Sequence, residues 1–104
     1  MMPATNKITN VPARLPLKIA IVGGGKACKF FLELLQTDYF KSLDINLIGV
    51  CDIDPEAEGL QMAEQMGIYT TDNFKDFFEF KNLDSIIELT NNRNVLLYLV
   101  KFVV

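Results

Sequence analysis

Histidine and tryptophan are both missing from these 104 residues. Without histidine the chain lacks the commonest general base and the commonest metal ligand, so no metal site is expected. Cysteine is scarce too, with only Cys28 and Cys51 present. Residues 1–16 carry Lys7 and Arg14 but no apolar stretch of the kind a signal peptide needs. The two thiols therefore read as reduced cysteines of a cytoplasmic protein. The longest apolar stretch, 95–104, is interrupted by Lys101 and too short to cross a bilayer, so no membrane segment is expected. Charged residues make up 22% of the chain, and ten Lys+Arg against thirteen Asp+Glu leave a net charge of −3. A mildly acidic surface with no basic cluster argues against nucleic acid as a partner.

What the chain does have is apolar residues, which make up half of it, enough for one packed domain. Pro3, Pro12 and Pro16 fall in the polar segment 1–16, which reads as an extended arm ahead of a domain at 17–104. The run Leu17–Val22 is β-branched and apolar, as expected of a strand buried on both faces. Three glycines follow, then a helix at 27–36 with Phe30, Phe31, Leu34 and Leu35 at helical spacing. A connection at 37–44 leads to a second strand at 45–52. Asp54 and Pro55 read as cap and first residue of a helix that runs to Met66 and stops at Gly67. A short third strand at 68–70 precedes a small helix capped by Asp72 and ending at Phe78. Residues 85–89 form the fourth strand, and 93–102 a last helix. Strands alternating with helices at these lengths predict a doubly wound, Rossmann-like α/β fold with a parallel sheet ordered 3-2-1-4. The chain stops at Phe102-Val103-Val104, which reads as a cut from a longer protein or the start of a fifth strand.

The chemistry centres on Gly23-Gly24-Gly25-Lys26-Ala27-Cys28, between the first strand and the helix. It matches G-x-G-x-x-G at Gly23 and Gly25, with Cys28 in the third position. In that pattern the first glycine makes the tight turn, and the second lets backbone approach a pyrophosphate. The third position needs a small residue for helix–strand packing. The helix start adds unpaired N–H groups and a positive dipole end. An acid ending the second strand completes the context, and Asp52 lies 29 residues beyond Gly23. That exceeds the usual interval of about 20 because of the long connection before the second strand. A carboxylate there accepts hydrogen bonds from a ribose diol and repels a 2′-phosphate, so NAD is expected over NADP. The plain alternative is a tight βα turn and a strand-end cap that bind nothing.

Several other residues have two readings. Lys26 suggests a P-loop, but the spacing is wrong and Ala27 replaces the magnesium-binding hydroxyl, so a solvated lysine near phosphate remains. Cys28, in a first helical turn, is either a low-pKa redox thiol or a small packing residue. Cys51 reads as core. Glu88 interrupts an apolar strand near its carboxyl end, as either a cleft residue or half of a structural ion pair. Thr90 and Asn91 would lie beside the nicotinamide half of a cofactor. They read equally as a polar loop leading to Asn92 as a helix cap. Phe74, Phe77, Phe78 and Phe80 read as core or an interface.

The stretch GVCDIDPEAEGLQMAEQMGIYTTDNFKDFF resembles the cofactor domain of the glucose–fructose oxidoreductase/inositol dehydrogenase family. The likeness runs from Leu17 to about Leu99. That family follows its fourth strand with Thr-Pro-Asn and a histidine; Thr90 matches, Asn91 stands at the proline, and no histidine exists. The family's substrate domain, with its catalytic lysine and histidine, has no counterpart in these residues. The stretch LDSIIELTNNRNVLLYLVK is more similar to Rossmann domains that precede PAS and histidine-kinase modules in bacterial signalling proteins. The first resemblance implies the cofactor half of an NAD-dependent oxidoreductase. The second implies a non-catalytic, ligand-sensing nucleotide module. The residues expected to hold the cofactor are Gly23, Gly24, Gly25, Lys26, Ala27, Asp52, Ile53, Thr90 and Asn91. A third outcome is a Rossmann-like domain without a ligand. The apolar segment 95–104 suggests a homodimer.

Overall fold

The computed structural model describes residues 17–90. The expected arm at 1–16, Asn91, Asn92, the helix at 93–102 and the strand start at Val103 lie outside them. Strand β1 (Leu17–Val22) leads through the glycine turn to helix α1 (Lys26–Leu35), and a short helix α2 (Asp38–Lys41) precedes strand β2 (Ile45–Cys51). Helix α3 (Glu58–Gln65), strand β3 (Tyr69–Thr71), a 3₁₀ turn (Phe74–Glu79) and strand β4 (Ser85–Glu88) follow. All strand pairs are parallel, and the order is β3-β2-β1-β4, the expected Rossmann-like arrangement.

Strand β1 is central, and Ile19, Ala20, Ile21 and Val22 are all buried. Alternation sends them to opposite faces. Ile21 meets Val50, with Cys28 and Leu32 of α1 and Leu60 and Ala63 of α3. Ala20 and Val22 meet Cys51 and Phe77, backed by Phe74, Phe80, Leu83 and Ile86. Helices cover one face and an aromatic 3₁₀ segment the other.

Where elements differ from expectation, local hydrogen bonds explain it. The face that α1 buries is Cys28 and Leu32, while Phe30 is 62% exposed. The glycine turn sets the phase of the helix, and apolarity alone does not. Helix α3 starts at Glu58 rather than at Pro55. The Asp54 carboxylate accepts from Glu56 N at 2.9 Å, and the Asp54 carbonyl from Ala57 N at 3.1 Å. These bonds close a separate turn. Ala57 then takes an extended conformation (ψ 133°), so no helix can run through it. The helix ends as expected, with Gly67 at φ 79° just past Met66. Strand β3 sits one residue later than its predicted 68–70. The helix after it is 3₁₀, capped by Asn73, whose side chain accepts from Lys75 N at 3.1 Å. Asp72 is not the cap.

Phe77 is fully buried and stacks on Phe80 with ring centroids 6.1 Å apart. It is the largest fully buried side chain, at the centre of the face opposite the helices. Phe77→Ala is expected to cost about 3–5 kcal/mol in urea denaturation. A loss below about 1 kcal/mol would show that this face does not depend on the ring.

Candidate functional site

The four strands finish at one level. Val22 is the register partner of both Cys51 and Glu88, and Cys51 that of Thr71; each ends its strand. The backbone continues that line, with Gly23 N bonded to Cys51 O at 2.8 Å, Asp52 N to Thr71 O at 3.1 Å and Leu89 N to Val22 O at 2.8 Å. The residues just past the strands are thereby gathered into one shelf, where open parallel sheets bind ligands.

Gly23 makes the turn at φ 113°. A Cβ there would lie 2.6 Å from both Leu89 C and Thr90 N, so the glycine also lets the end of β4 close over β1. Gly24 is buried, and its N–H donates to Asp52 Oδ2 at 2.7 Å. The other carboxylate oxygen accepts from Asp54 N at 2.9 Å. Each carboxylate oxygen keeps a second lone pair for another donor. Gly25 caps α1 without a side-chain acceptor, and a Cβ there would meet nothing within 4 Å. The first-turn N–H groups thus start from a cap that leaves space beside it.

A cavity of about 440 Å³ opens on this shelf. Of the predicted site residues, it brings together Gly23, Gly25, Asp52, Ile53 and Thr90. Gly24 lies behind Asp52, and Lys26 and Ala27 are exposed at the start of α1, outside the lining. Asn91 is outside the described residues. The lining also includes Val22, Cys51, Leu89, Asp72, Asn73 and Phe74, which were not among the residues expected from sequence. Asp72 to Phe74 follow β3 directly, so the rule that flagged Asp52 after β2 would have found them. Ile53, 84% exposed, sets an uncovered apolar side chain at the edge of the cavity.

Glu88 stands outside the lining. Its carboxylate accepts from Thr90 N at 2.7 Å and from the Thr90 hydroxyl. It closes the turn that sets Thr90 against the cavity, a role that neither sequence reading described. The redox reading of Cys28 fails. The thiol is buried, and burial first, then the Asp52 charge, pushes it up to about 11. Cys51 is pushed up to about 12 by burial and then by Asp52, Asp72 and Asp76. Among the described residues no group of three or more His, Cys, Asp or Glu could hold a metal ion. No helix among them is long and apolar enough to cross a membrane. No protein-family model matches the chain, and comparison with curated proteins finds no match.

The buried thiols set a pH dependence. Unfolding returns Cys28 toward its ordinary value of 9.0, while the folded value is about 11. Between those values the unfolded chain binds fewer protons than the fold, so stability falls as pH rises through that window. Urea midpoints measured below pH 9 and near pH 11 are expected to show the drop. A thiol reagent at about pH 8 should leave both cysteines unmodified until urea is added.

Proposed function

We propose that this domain binds a dinucleotide at the shelf beyond its strands, taking NAD or NADH in preference to the phosphorylated pair. The observation that carries the reading is the pairing of Gly25 with Asp52 on one cavity. Gly25 leaves open space at a helix start, and Asp52 is oriented by Gly24 N and Asp54 N. The first suits a pyrophosphate approaching backbone, the second a ribose diol. Asp72, a second carboxylate in the lining, adds to the repulsion of a 2′-phosphate.

The reading is of a binding and sensing module rather than a catalyst. Among the described residues the lining has no lysine, the chain has no histidine, and the lining thiol, Cys51, stays protonated near neutral pH. Of the two carboxylates in the lining, Asp52 is bonded to the Gly24 and Asp54 amides, which leaves Asp72 as the group there that could accept a proton. The resemblance to sensor domains of bacterial signalling proteins points the same way. The expected homodimer rests on residues 95–104, outside the described part of the chain.

Thermal shifts with NAD, NADH, NADP and NADPH test the preference. At about 100 times the dissociation constant the stabilisation by NAD or NADH should be about 2.7 kcal/mol. Equal shifts from both pairs would take the discriminating role from Asp52. Turnover of NADH with a small carbonyl compound would point instead to the cofactor half of an oxidoreductase.

Gly25→Val is the cleaner binding variant, because replacing Asp52 also breaks the turn it holds. The new side chain would enter open space, so the fold should persist while NAD affinity falls about tenfold or more. A folded variant with unchanged affinity, by calorimetric titration, would reduce the glycine turn to a turn.

A further inference from the structure

The third position of the glycine pattern holds Cys28, whose side chain is fully buried between α1 and α3. Something opposite must make room for it. The residue opposite is Gly59, the second residue of α3: a Cβ there would lie 2.7 Å from Cys28 Cβ and 2.8 Å from Cys28 Sγ. The same Cβ would lie 2.7 Å from the Gly25 carbonyl oxygen. That last contact is with backbone, which cannot rotate aside as a side chain can.

The next residue of α3 is bonded to the same turn. The cap residue Ala57 offers no side-chain acceptor to the first turn of the helix. Leu60 N instead donates to the Gly24 carbonyl at 2.9 Å. The first turn of α3 therefore touches two consecutive carbonyls of the glycine turn, Gly24 by a hydrogen bond and Gly25 by close approach. A trans peptide is planar, and its N–H points opposite to its C=O. Holding the Gly24 and Gly25 oxygens toward α3 turns the Gly25 and Lys26 N–H groups away from it. Those are the donors at the start of α1 that a phosphate would meet.

We propose that Gly59 is a positioning residue of the nucleotide site, supplying from α3 the missing side chain that a third glycine would supply on α1. It admits Cys28 to the interface and lets α3 aim the amides of the glycine turn. The proposal rests on the dinucleotide-binding reading above. At its surface the contact between helices is supplemented by a half-exposed Lys29–Glu58 ion pair at 3.5 Å and by Gln36 Nε2 donating to Met66 Sδ at 3.4 Å.

The test uses Gly59→Ala alone and together with Cys28→Gly, read by NAD titration, thermal melting and amide exchange. In Gly59→Ala the Leu60 amide should exchange about tenfold faster, and NAD should bind about tenfold more weakly. The double variant removes both clashes with the Cys28 side chain but keeps the clash with the Gly25 carbonyl. It should therefore regain melting temperature without regaining NAD affinity. Should the single variant fail to fold, the double variant against Cys28→Gly carries the same comparison. Unchanged Leu60 exchange together with unchanged NAD affinity in a folded Gly59→Ala would overturn the proposal. So would a double variant that regains affinity along with stability, since Gly59 would then serve Cys28 alone. If the unsubstituted chain binds neither NAD nor NADP, the nucleotide reading falls and this role falls with it. Intact NAD binding with an indifferent Gly59 sinks only the present inference.

Discussion

The Asp52 carboxylate accepts a backbone N–H on each oxygen, Gly24 at 2.7 Å and Asp54 at 2.9 Å, and through them it joins three segments. One is the end of β2, the second the glycine turn after β1, and the third the chain leading into α3. Charge-assisted bonds of this kind are among the stronger ones a fold can make. Their effect reaches past the turn. With Gly24 N held by Asp52, the Gly24 carbonyl is free to receive Leu60 N at 2.9 Å, so β2, the turn and α3 are linked through one residue. A single side chain thus orients the surface that a ligand would meet.

Around that link the interior is arranged asymmetrically. On the helical side, small residues let α1 and α3 approach closely, and Cys28, Ala63 and Gly59 are all buried there. On the other side a cluster of phenylalanines does the covering, with Phe77 at its centre. Phe74, at the edge of that cluster, also borders the cavity, so the aromatic layer serves both core and site. The thiols are part of this packing. Their raised pKa values express burial in the core, with the Asp52 charge adding to the effect.

Much of the site was legible in the sequence because it follows from strand ends. Gly23, Gly25, Asp52, Ile53 and Thr90 all come just past a strand, and all line the cavity. The sequence favours Asp72 as the helix cap while Asn73 caps it in the structure, because Asp and Asn are equally good caps. Only the backbone path decides which of Asp72 and Asn73 serves. Phe74 reads as core or an interface, and it does pack on the core, but a hydrophobic pattern has no means of showing that the same ring also borders a cavity.

The sequence by itself determined the order of the strands and of the two longer helices, but not the short helix Asp38–Lys41 inside the expected connection. Apolar runs of strand length alternating with helical spacing leave few parallel topologies, and right-handed crossovers select 3-2-1-4 among them. It also determined that a glycine turn would face an acid at the next strand end. Tertiary structure alone decided the helix phases and starts. Phe30 is exposed while Cys28 is buried, because the glycine turn sets the rotation of α1. Helix α3 begins at Glu58, because the Asp54 turn stops short of it and the Gly24 carbonyl caps it from another segment. Periodicity along a chain specifies which residues share a face. It does not specify which atoms of a distant segment will lie 2.7 Å from a missing Cβ, and that distance is what makes Gly59 necessary.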